Sequence, residues 1–198
     1  MRRVPIVATA LVTLAVAAMI ALGIWQLRRS AWKTALIATY EANRSKPPVA
    51  WPALLPKDDS QLVYRRATGF CLQPVAWREM IGHNAKGEPG WSHIASCRTG
   101  GGEGPGMEVD VGWSAQTGTP RWQGGAVAGT IVPDRKHRIR LVADRPAPGL
   151  QRSVPTSPQD VPNNHFAYAI QWFLFALTAV IIYAFALRRR RRDTAPSG

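Results

Sequence analysis

The stretch "FAYAIQWFLFALTAVIIYAFALRRRRR", Phe166 to Arg192, decides the fold. Its first twenty-two residues carry no charge, and five consecutive arginines close it. At about 1.5 Å rise per residue such a block spans a hydrocarbon core of roughly 30 Å. A second block of this kind, "IVATALVTLAVAAMIALGIW", occupies Ile6 to Trp25. Together the two blocks take about a fifth of the 198 residues, so any globular part lies between them.

The N-terminal block follows Arg2 and Arg3, as a secretory signal would. It exceeds the usual apolar region of roughly 7–15 residues, and bulky Trp25-Gln26-Leu27-Arg28-Arg29 follows where a cleavage site wants small side chains. The block therefore reads as an uncleaved anchor. Basic residues around it tie, but Arg188 to Arg192 place the end of the second span in the cytoplasm. Both termini are then cytoplasmic and the middle extracytoplasmic. The anchor begins at once and leaves no room for a transit peptide, so the expected location is a bacterial plasma membrane, multi-pass.

Net charge is +13, of which the terminal arginines supply five. Between residues 30 and 164, 16 Lys and Arg face 11 Asp and Glu, a small surplus that fits a domain facing anionic lipid. Nucleic acid is not an expected partner; the lipid bilayer is. The two cysteines, Cys71 and Cys97, form neither C-x-x-C nor C-x-x-x-C. They read as structural, paired or merely buried, rather than redox-active.

Pattern divides the chain further. Residues 1–27 form the N-terminus and first span, and 28–45 continue it as an amphipathic helix with Trp25, Trp32 and Leu36 spaced by seven and four. Residues 46–60 hold "KPPVAWPALLP" and read as a Pro-rich linker. From 61 to 145 five strand-like runs alternate with Gly-rich turns: "QLVYRRATGFC", "GWSHIASCRTG", "GMEVDVGWSA", "GAVAGTIVP" and "RIRLVADR". In the third, Met107, Val109, Val111 and Trp113 share one face and Glu108, Asp110, Gly112 and Ser114 the other, the period of a half-buried strand. "TGGGEGPG", Thr99 to Gly106, has the glycines of a phosphate loop without its Lys or helix, and reads as a hairpin turn. A second Pro-rich linker covers 146–164, the second span 165–187 and a basic cytoplasmic tail 188–198. The fold class is membrane α+β: two transmembrane helices flanking a small antiparallel sheet or partly closed barrel.

The middle domain offers His83, His93 and His137 for hydrolytic chemistry, but none lies in a nucleophile motif. His93 and Cys97 are four apart on a strand, about 13 Å, too far for one metal. The spans differ. At roughly 100° per residue, His165, Tyr168 and Trp172 form one narrow stripe. Antiparallel spans bring Trp25, Arg28 and Arg29 to similar depth. An imidazole for iron, aromatic faces for a macrocycle and guanidinium groups for propionates are what a haem requires. The same residues also serve as plain interface anchors, with Asn163 or Asn164 as helix cap.

"NNHFAYAIQWF", Asn163 to Phe173, and "GIWQLRRSAWK", Gly23 to Lys33, stand at the outer ends of the two spans. The first resembles the second-span signature, and the second is similar to the end of the first span, of the surfeit locus one family of cytochrome c oxidase assembly proteins. "YRRATGF" (Tyr64 to Phe70), "VDVGWS" (Val109 to Ser114, with Val111 where Arg is usual) and "GAVAGTIVP" (Gly125 to Pro133) resemble intervening segments. A further aromatic and acidic stretch before the family's second span is replaced here by the Pro-rich linker, so no partner contact of that stretch carries over. The resemblance implies a non-enzymatic assembly factor. It implies that haem a, made by haem a synthase, passes through this protein to the large catalytic subunit of cytochrome c oxidase. The histidine tied to haem in that family corresponds to His165, and Trp25, Arg28 and Trp32 match motif positions.

The expectation is thus a haem a-binding assembly factor. His165 is the axial ligand, Tyr168, Trp172 and Trp25 pack on the ring, and Arg28 or Arg29 pairs with propionates. A protein-only scaffold for an oxidase intermediate is the alternative, and a membrane-anchored enzyme a more distant one.

Overall fold

Continuous backbone hydrogen bonding carries the first span well past its apolar block, into helix α1 (Ile6–Asn43). Helix α2 (His165–Arg192) is the second, and both are long and apolar enough to cross a membrane. The computed structural model describes residues 5–100 and 106–192. Most of the Gly-rich turn, together with Arg2, Arg3 and residues 193–198 of the tail, lies outside the described residues. The chain divides into two units, one made of the helices up to Ala35 and from Pro162, the other of Leu36–Val161.

In the second unit seven strands form one sheet: β1 (Val49–Ala50), β2 (Arg66–Cys71), β3 (Gln73–His83), β4 (Pro89–Arg98), β5 (Met107–Ser114), β6 (Gly125–Asp134) and β7 (Arg138–Ala143). Their order is β1-β2-β6-β7-β5-β4-β3. The sheet is mixed rather than antiparallel. The tight β6–β7 turn, with Arg138 at φ 67°, returns β7 between β6 and β5, where Val109 and Asp110 pair in parallel with Leu141 and Val142. β1 also pairs in parallel with β2. β3 and β1 are strands that the five-run pattern does not contain.

β2 and β4 stand second and sixth in this order, yet Cys71 and Cys97 form a disulfide with Cα atoms 5.2 Å apart. The sheet therefore coils strongly. Beside the disulfide the Leu72 N–H donates to the Arg98 carbonyl at 2.9 Å, but no ladder joins β2 to β4 among the described residues and the barrel is not closed. The disulfide spans 26 residues. Constraining a loop of that length stabilises the native state by about 3.5 kcal/mol. Cys97→Ser is expected to lose that amount, read as a lower urea midpoint of the detergent-solubilised protein.

β5 is covered on both faces, not half-buried. Met107, Val109 and Val111 join Ile131, Val132 and Leu141 in the apolar core. The pairing shifts register between His93 and Ile94, opposite Gly112, and Trp113 no longer belongs to that core cluster. Gly112 sits at φ +140°, and a Cβ there would lie 2.8 Å from the Gln151 carbonyl oxygen, so the bulge requires glycine.

The other face of β5 is a buried ionic cluster. Arg78 donates to Asp134 at 2.6 Å and to Glu108 at 3.3 Å. Arg140 reaches Asp134 at 3.4 Å and stands 3.9 Å from Asp110, whose other oxygen accepts from Ser153 at 2.7 Å. Burial pushes the Asp110 carboxyl upward, against the Ser153 hydroxyl, the Arg140 charge and the Gly112 N–H. Burial also opposes ionisation of Asp134, but hydrogen bonds from Arg78 and from the His137 and Lys136 backbone outweigh it and hold that carboxyl at about 2. The Pro-rich segment before α2 is part of this unit: Ser153 bridges to Asn84, Gln151 pairs with Trp113, and residues Pro158–Asp160 form a capped 3-10 turn.

Candidate functional site at the paired helix ends

Within the helical unit α1 and α2 run antiparallel, and contacts along their length set the register. The Thr9 and Tyr183 hydroxyls meet at 2.6 Å near one end. Further along, a Cβ on Gly23 would lie 2.7 Å from Cε1 of Phe173, so the ring packs on bare α1 backbone. At the other end His165 Nδ1 meets Gln26 Oε1 at 2.7 Å, Asn163 Nδ2 donates to Thr34 Oγ1 at 3.2 Å, and Lys33 Nζ donates to the Pro162 carbonyl at 3.2 Å. Up to Ser30 the covered positions of α1 are Thr9, Val12, Val16, Met19, Gly23, Gln26 and Ser30, spaced by threes and fours. Those of α2 include His165, Ala169, Trp172, Phe173 and Ala176. This is the spacing of a two-helix seam.

Filling the Gly23 notch tests the seam. Gly23→Ile forces the Phe173 ring aside, an overpacking expected to cost about 1–3 kcal/mol. The check is a lower melting temperature in detergent, partly restored in Gly23→Ile/Phe173→Ala.

His165 and Trp172 lie on the seam, and Trp172 meets Phe175 edge-on with centroids 6.1 Å apart. Tyr168 and Trp25 are exposed to a similar degree, 51% and 55%, and flank it. Arg28 is exposed, and the Arg29 guanidinium stacks over the Trp32 ring at 4.1 Å rather than reaching His165. The residue that does reach His165 is Gln26. Sequence reading passed it over, although it stands inside the Gly23–Lys33 motif. Asn164 caps α2, its carbonyl accepting from the Tyr168 N–H at 3.3 Å.

The alternative sites in the sheet unit are engaged otherwise. His93 Nε2 lies 2.7 Å from Ser114 Oγ, but that hydroxyl donates to the Gln116 carbonyl at 2.5 Å. His93 is then the donor, and a base awaiting a nucleophile's proton is the reverse arrangement. Its Nδ1 has no hydrogen-bond partner among the described residues and stands 3.7 Å from Glu79. Cys97 is consumed by the disulfide and is not a metal ligand beside His93. His137 stands 3.7 Å from Glu108, at the edge of the ionic cluster, and His83 is exposed at the end of β3.

A comparison with curated proteins finds no match. A family model described as SURF1 family matches residues 13–177, a span that contains both the Gly23–Lys33 and the Asn163–Phe173 motifs and the whole sheet between them. With two membrane-length helices around that sheet and His165 on their shared seam, the chain belongs to the SURF1 family, whose members are cytochrome oxidase assembly factors.

Proposed function

We propose that the chain receives haem a at the paired helix ends and hands it to the large catalytic subunit of cytochrome c oxidase during assembly. The observation that carries this reading is His165. Its Nδ1 is taken by Gln26, and its Nε2 has no hydrogen-bond partner among the described residues. When bound, haem a would supply an iron that accepts an imidazole nitrogen and propionates that pair with cations.

The residues present fit that group. His165 would hold the iron through Nε2. Trp172, Tyr168 and Trp25 would offer ring faces, and Arg28 or Arg29 would offer a guanidinium group to the propionates. The apolar flanks of α1 and α2 keep the site beside lipid, so the ligand enters from the bilayer and not from water. In this reading the membrane is a bacterial plasma membrane, crossed twice, with both termini and the Arg188–Arg192 run cytoplasmic. The sheet domain then lies on the extracytoplasmic side, the oxidising one, which suits the Cys71–Cys97 disulfide.

Gene deletion followed by a reduced-minus-oxidised spectrum of the membranes tests the role. Loss of the haem a signal with other cytochromes intact is the expected result; unchanged haem a contradicts it.

A further inference from the structure

We infer that Gln26 is a positioning residue for His165: its side-chain oxygen fixes the imidazole as the Nδ1–H tautomer and leaves Nε2 as the free electron-pair donor. The inference rests on the haem reading and deepens it. Gln26 Oε1 lies 2.7 Å from His165 Nδ1, and an amide oxygen can only accept, so the ring nitrogen donates. A neutral imidazole carries one proton, and with that proton on Nδ1 the pair on Nε2 is available to a metal.

The two residues come from different helices, and their meeting depends on the seam. The Gly23–Phe173 contact lies one turn below Gln26 and two below His165, and it fixes how far the helices slide past each other. The Asn163–Thr34 and Lys33–Pro162 bonds hold the register above. Gln26 is itself on the covered face of α1, whereas its neighbours Trp25 and Leu27 are exposed. A neutral amide suits this place: it orients the ring without adding charge beside the apolar spans, whereas a carboxylate there would add one.

Partners of this kind typically cost 10–100-fold in metal affinity when removed. The test uses purified full-length protein in detergent, with nitrogen NMR of ring-labelled histidine in the haem-free state and titration with haemin as the probe. The parent is expected to show His165 as the Nδ1–H tautomer. Gln26→Leu is expected to lose that preference and to bind haemin about 10–100-fold more weakly. Gln26→Glu, which keeps an acceptor oxygen but adds a charge, is expected to restore the Nδ1–H tautomer and at least part of the affinity.

An Nε2–H tautomer in the parent overturns the inference. So does a Gln26→Leu protein with parental tautomer and affinity. If His165→Ala loses haemin while Gln26→Leu does not, the positioning role fails and the ligand role stands. If His165→Ala binds as the parent does, both fail.

Discussion

Asp134→Ala is expected to destabilise the sheet domain by about 3–5 kcal/mol, read from urea unfolding of the detergent-solubilised protein. The Asp134 side chain is 1% exposed and accepts from Arg78, Arg140 and two backbone N–H groups. Removing it leaves the Arg78 and Arg140 guanidinium groups with Glu108 and Asp110 as their carboxylate neighbours among the described residues, and Arg140, largely buried, loses its nearest carboxylate. Arg78→Met/Asp134→Leu, which removes both sides of the strongest pair, is expected to recover part of the loss.

The same residue gives a pH signature. Its carboxyl is lowered from 3.8 to about 2 in the folded state, so its contribution is complete above about 4 and disappears as pH falls toward 2. Asp110 acts with the opposite sign, because its raised carboxyl favours the folded state when protonated and costs stability as pH rises past its ordinary value. The parent should therefore lose stability between about pH 4 and 2 more steeply than Asp134→Ala. Parallel acid limbs for the two proteins would assign the loss to other carboxylates.

His165→Ala is expected to lower haemin affinity by more than the 10–100-fold that removal of an orienting partner costs, since in the proposed haem reading it deletes the ligand itself. Fold should not suffer. His165 is the first residue of α2 and half-buried, and the seam contacts at Gly23, Phe173, Ala169 and Ala176 lie deeper along the pair. Loss of the Gln26 hydrogen bond is expected to lower its unfolding free energy by about 0.5–1.5 kcal/mol, too little to unfold it. A variant that binds poorly because it is misfolded would instead lose its cooperative unfolding transition.

The spans were legible because length without charge leaves few alternatives at Ile6–Trp25 and Phe166–Leu187. β5 and β6 were legible from alternation and Gly-bounded runs. β3 was not: Pro74 and Gly82 interrupt it, a bulge shifts its register after Pro74, and Arg78 turns its charge inward to Asp134, so the period-two signal is lost. Glu108 and Asp110 read as a solvent face for the same reason, since alternation separates two faces but cannot say what covers the polar one.

Gln26 was hidden by a different cause. In a helix apolar on every side, periodicity carries no information about which face packs, and the only clues are small residues such as Gly23, Ala169 and Ala176. The family motif marked Trp25, Arg28 and Trp32 as readily as Gln26. Geometry separates them, with Gln26 on the seam and Arg29 stacked on Trp32.

The most direct test of the haem reading is the absorption spectrum of the protein purified from cells that make haem a, beside that of His165→Ala prepared in parallel. A haem-ligated spectrum is expected in the parent and its loss in the variant, at equal protein and with the cooperative unfolding transition retained. Haem absent from the parent, or present equally in both, would contradict it.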